Sequence, residues 1–79
     1  MENIISLCDL SINKNGTVTE IKCKPKLKNR MSDLGLYEGA EVCPVMKSPF
    51  DDPRAYKVND TLIALRNSDA KQIKVKPGD

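Results

Sequence analysis

The apolar residues of this chain fall on a helical repeat in only one place. Leu27, Met31 and Leu34 stand at i, i+4 and i+7, one face of a short helix. Gly35 follows directly, where helices commonly close on a left-handed residue. Pro25 ends the segment before it, because proline has no N–H to give a ladder. Elsewhere the apolar residues come in short runs cut by Asn, Gly and Pro. A chain patterned in this way can build one short helix set among short strands.

The strands follow from their punctuation. Ile4, Ile5, Leu7 and Leu10 form a lead-in that suits either a helical turn or an extended stretch. Asn13-Lys14-Asn15-Gly16 is a turn of residues that tolerate left-handed backbone, and residues 16–23 read as a first strand carrying Val18 and Ile21. After the helix, Gly39 takes the position a type II turn requires. Residues 41–47 read as a strand with Val42 and Val45, and Pro44 inside it predicts an edge or a bulge. Residues 48–53 are a loop. Residues 55–58 and 61–66 form a hairpin about Asn59-Asp60, a pair able to take the positive φ of a type I′ turn. Asn67 or Ser68 could cap a helical turn over residues 69–72. Residues 72–76 give a last strand with Ile73 and Val75 inward, followed by a frayed tail at Pro77-Gly78-Asp79. The expectation is a mainly β fold, a small barrel of about five strands with one short α-helix. At 79 residues it should be a single domain over 1–79, with its core at about 7–76.

The chemistry that is missing narrows the function. There is no histidine, which removes the commonest general base, every Ser-His or Cys-His pair and the commonest transition-metal ligand. Cys8, Cys23 and Cys43 are odd in number, widely spaced and without a C-x-x-C pair. They read as reduced thiols of a cytoplasmic protein, with Cys8 and Cys43 as small buried hydrophobes. Asp51-Asp52 is the one adjacent carboxylate pair, and in a proline-flanked loop it reads as turn chemistry before a hard-cation site. No phosphate-cradling glycine motif is present. The N-terminus lacks a signal-peptide pattern, and no apolar run nears the ~20 residues of a membrane span. Neither catalysis, a cofactor nor a metal site is expected, so binding is what remains.

Thirteen basic and eleven acidic residues nearly balance. Even so, Lys22, Lys24, Lys26, Lys28 and Arg30 recur at every second position with no acid between them. At strand spacing they would share one face, either a solvated one or a surface for an anionic partner. With Tyr37, Phe50 and Tyr56 as the only aromatics, stacking on single-stranded nucleic acid has little support, and no nucleic-acid partner is expected.

Several segments, taken in order, carry a family likeness. Leu7 and Leu10 make a Leu-x-x-Leu lead-in, and Gly16-Thr17-Val18 a Gly-x-Val. Arg30-Met31 runs through Leu34-Gly35-Leu36 to Gly39, as a basic helix entering Leu-Gly-Leu-x-x-Gly. Val42, Pro49, Asp52-Pro53, Val58, Ala64-Leu65-Arg66, Ala70, Ile73 and Val75 complete the series. From about Leu7 to Val75 the chain resembles the FeoA family of ferrous iron transport accessory proteins. Asn13, Asp51 and Asp60 stand where the family commonly has glycine, and all three are residue types that reach positive φ. Glu38 replaces a usual proline.

The resemblance implies an SH3-like barrel and a non-enzymatic role in Fe(II) import beside FeoB, the membrane transporter with a cytoplasmic GTPase domain. The chain would reach the membrane only through that partner. Candidate contacts are Leu36, Tyr37, Met46, Pro49 and Phe50, although Leu36 and Phe50 could equally plug the barrel. Two other readings stay open. One is a metal-binding regulatory domain like the C-terminal SH3 module of DtxR-type repressors. The other is a binder of anionic surfaces or nucleic acid through the basic stretch Lys22 to Arg30.

Overall fold

A computed structural model describes residues 3–47 and 52–78. Its strands are β1 (Ile5–Ser6), β2 (Gly16–Ile21), β3 (Glu41–Lys47), β4 (Arg54–Val58), β5 (Thr61–Leu65) and β6 (Ile73–Pro77). Helix α1 spans Pro25–Asp33 and the single turn α2 spans Asn67–Ala70, with a 3₁₀ turn at Leu7–Asp9. The strands form one antiparallel sheet in the order β1-β6-β2-β3-β4-β5. The sheet curls around Leu7, Leu10, Val18, Met31, Leu36, Val42, Tyr56, Val58, Ile73 and Val75, all at most 2% exposed. This is the SH3-like fold, with six strands among the described residues. The sixth is the two-residue β1, and the lead-in is therefore extended first and a 3₁₀ turn second.

Two irregularities reconcile the sequence pattern with a two-residue period. Val18 and Ile21 lie three apart yet both face the core, because the β2–β6 register shifts between Val18 and Glu20. A second shift lies between Pro44 and Met46 in β3, the bulge that Pro44 predicts. Pro44 opposes Tyr56 on β4, and its carbonyl turns the other way to accept the Asn13 N–H at 2.7 Å. The missing proline N–H therefore falls where β4 asks for none.

Helix α1 begins on Pro25 itself, at a position where a proline N–H is not needed and its φ is already helical. Its end is a Schellman motif. Gly35, at φ 98°, donates to Ser32 O at 3.0 Å, and Leu36 donates to Met31 O at 2.8 Å. Of the expected helix face, Met31 is buried and Leu27 half-buried, but Leu34 is 44% exposed because it is the C-cap.

Further along, Gly39 at φ 97° turns the chain back, and Ala40 donates to Tyr37 O at 3.0 Å. In the β4–β5 turn only Asn59, at φ 56°, takes positive φ. Asp60 does not, so the type I′ expectation fails there. Helix α2 starts at Asn67, two residues earlier than expected. Its Asn67 N–H is capped by the Asp52 carboxylate at 2.9 Å, across the fold. Of the expected frayed tail, Pro77 belongs to β6 and Gly78 donates to Asn15 O at 2.7 Å, so these two are held, and Asp79 lies outside the described residues.

Candidate docking surface

The Schellman motif decides the fate of the Leu-Gly-Leu segment. It folds the residue after the glycine back against the third residue from the helix end, here Leu36 against Met31. Leu36 is 0% exposed. Of the two roles open to it, partner contact or barrel plug, the burial fits the plug: Leu36 is a core residue. Tyr37, one position on, emerges from the core and is 47% exposed. Leu34, the C-cap of α1, is likewise an exposed apolar residue.

Of the remaining expected contacts, Pro49 and Phe50 lie outside the described residues. Met46 is 62% exposed, just past the β3 bulge. It opposes Ala55 on β4, which opposes Ala64 on β5, and neither alanine is buried. Leu62 is 63% exposed and shares the outward side of β5 with Ala64. Sequence reasoning missed Leu62. In Thr-Leu-Ile-Ala-Leu every residue after the threonine is apolar, so a period of two cannot say which face looks outward.

The five basic residues are all exposed, but not on one strand face. β2 ends at Ile21, and Lys26, Lys28 and Arg30 belong to α1. The strand-spacing expectation is therefore replaced by helical geometry. Lys26 and Arg30 are i, i+4 neighbours, and with Lys24 and Leu27 they line a shallow depression of about 300 Å³. Lys24 is the N-cap, and the first turn of α1 holds no acid. Cations there oppose the helix dipole, so this corner would gain from a nearby anion.

Among the described residues, no group of three or more His, Cys, Asp and Glu comes together in a way that could hold a metal ion. The cysteines are all free. Cys23 is buried, whereas Cys8 and Cys43 are only half-buried, so the expectation of burial fails in degree for those two. Burial raises the Cys8 thiol above its ordinary 9.0, with the Asp9 charge adding to the effect. Burial also raises Cys23, with Asp69 adding. Neither has the depressed pKa of a reactive thiolate. The Cys8 carbonyl accepts Arg54 Nη1 at 2.7 Å, which ties β4 to the 3₁₀ turn behind β1. Arg54 is the other residue the sequence did not single out.

Residues 5–77 match the FeoA domain. The chain belongs to the FeoA family. Solved structures agree. The FeoA protein of Chlorobium tepidum is 29% identical with a TM-score of 0.87, over 91% of this chain and 69% of that one. A FeoA-like protein from Clostridium acetobutylicum is 30% identical with a TM-score of 0.82, over 96% of this chain and 88% of that one. FeoA of Stenotrophomonas maltophilia, solved with zinc, has been put forward as an SH3 domain protein that activates bacterial ferrous iron transport. It is 29% identical with a TM-score of 0.78, over 91% of this chain and 89% of that one. A search of curated proteins finds no match. FeoA proteins are associated with ferrous iron transport and are not an enzyme family. Among the described residues, no helix is long and apolar enough to cross a membrane.

Proposed function

We propose that this FeoA-family chain is a non-enzymatic adaptor of ferrous iron uptake. In this reading it works in the cytoplasm, docks on the cytoplasmic part of a FeoB-type transporter and modulates Fe(II) transport. The observation that carries it is the family match over residues 5–77, together with apolar side chains left on the surface of a small barrel: Leu34, Tyr37, Met46 and Leu62. A binding module needs such anchors, and an interface concentrates its energy in a few of them. Tyr37 and Met46 are the proposed contacts, with Pro49 and Phe50, which follow Met46 in the sequence. Lys22, Lys24, Lys26, Lys28 and Arg30 would steer the approach to an acidic partner surface, raising the association rate more than the affinity.

The test is a titration of the isotopically labelled chain with the GTPase domain of FeoB, followed by chemical shifts. Shifts centred on Tyr37 and Met46 support the reading, and salt should slow association with smaller effect on dissociation. An unchanged spectrum at saturating GTPase domain would sink it.

A further inference from the structure

The β4–β5 hairpin has a side that the barrel does not use. The two-residue turn makes Val58 and Thr61 a hydrogen-bonded pair, so bonded and non-bonded pairs alternate from there. Tyr56–Ile63 is bonded, and Lys57–Leu62 and Ala55–Ala64 are not. The Pro44 carbonyl checks this parity from the other side. It faces Asn13 rather than β4, as it must if the polar groups of Tyr56 face β5. The N–H and C=O of Leu62 and Ala64 therefore point away from β4. β5 closes the strand order and pairs with β4 alone among the described residues. It also lacks what usually protects an edge: Thr61–Leu65 holds no lysine, no proline, no bulge and no charge.

We infer that β5 is a self-association edge, on which a second copy of this chain adds its own β5 antiparallel about a two-fold axis at Ile63. This register follows from self-complementarity. It sets Leu62 and Ala64 of one copy opposite Ala64 and Leu62 of the other, so the outward-pointing donors and acceptors satisfy each other reciprocally. On the outer face each exposed leucine meets an alanine, large against small. The same register sets Asp60 beyond one strand end opposite Arg66 of the second copy, and the converse at the other end. Both are exposed; Arg66 lies 4.0 Å from Asp52 Oδ2 of its own chain but keeps 68% of its side chain exposed, so Asp60 of the second copy would join an existing Asp52–Arg66 pair at each end. The inference does not depend on the transporter reading.

Sedimentation over about 10 μM to about 1 mM tests it, the range suited to a small interface. The weight-average mass should climb from 8.8 kDa toward twice that value. Ala64→Pro removes a donor that β4 does not use, and should weaken association about 10-fold or more while the hairpin stays folded. Arg66→Asp should weaken it several-fold, about 3- to 5-fold, and Asp60→Arg together with Arg66→Asp should restore it. Circular dichroism confirms that each variant is folded, and if Ala64→Pro is not, the charge-reversal set decides alone. A mass that stays monomeric throughout overturns the inference. So does association that ignores Ala64→Pro, or a double reversal that fails to restore what Arg66→Asp removed.

Discussion

Replacing Leu36 by alanine separates a core residue from a docking anchor. The side chain is 0% exposed and packs behind the Schellman motif with Met31. Truncation removes its methyl groups from a packed interior and leaves a cavity, a change that costs about 2–5 kcal/mol in comparable sites. Over 79 residues, unfolding entropy of about 2.1 cal/mol/K per residue sums to about 0.17 kcal/mol/K near the midpoint. A loss of about 3 kcal/mol therefore lowers Tm by about 18 °C. Total stability for a domain of this size is on the order of 4–12 kcal/mol, so the variant should be visibly crippled but foldable. The assay is a thermal melt beside a urea titration, in which the midpoint falls with the slope m unchanged. Tyr37→Ala is the matched control at 47% exposure, and should move Tm by only about 3–6 °C. A Leu36→Ala midpoint as close to the parent as that of Tyr37→Ala would refute the burial argument and return Leu36 to the surface.

Other perturbations test the fold and the thiols. Gly39→Ala meets no atom within 4 Å but must hold φ 97°, so urea titration should show a loss of about 1–2 kcal/mol from backbone strain alone. Gly35→Ala holds φ 98° with its new Cβ 3.0 Å from Asn59 Nδ2, and should lose at least as much; a smaller loss than at Gly39 would count against the Schellman geometry. Asp52→Ala removes the cap on Asn67 N–H, worth about 0.5–2 kcal/mol, and should speed hydrogen exchange across α2; unchanged exchange would mean that water replaces the carboxylate without loss. For Cys8, a raised thiol pKa means that the folded state holds its proton more tightly than the unfolded chain. Its contribution to stability is complete below the ordinary 9.0 and fades as pH rises through the folded value. Alkylation at Cys8 should inflect above 9.0, and an inflection below it would contradict the burial assigned here.

Local signals carried much of this fold. Pro25, Gly35 and Gly39 marked where α1 starts, where it stops and where the chain turns, because each residue type has few backbone conformations to choose from. Val18, Val42, Ile73 and Val75 declared the inward face of their strands. What stayed hidden was set by long-range partners. The Asp52 cap on α2 joins residues 15 apart, and the Arg54 bond to Cys8 O joins residues 46 apart. No local pattern encodes either. The candidate surface divided in the same way. Tyr37 and Met46 emerge as exposed apolar groups, while Leu36 stays open between contact and plug in the sequence, because helix capping, not the apolar period, decides where it points. The alternating lysines and arginine looked like a strand face, since the alternation crosses from the end of β2 into a helix whose first turn is invisible to a period of two.

Pro44 acts as a ratchet on strand register. In the observed pairing its ring lies where β4 requests no donor, and its carbonyl is taken by Asn13. Sliding β3 by one residue against β4 would bring the donorless nitrogen into a bonding position and turn Val42 out to solvent in the same step. The native alignment loses nothing to the proline, whereas that competitor loses a hydrogen bond and a buried side chain together. One residue thereby widens the gap between the correct sheet and its nearest misfolded neighbour, and it does so before any partner is bound.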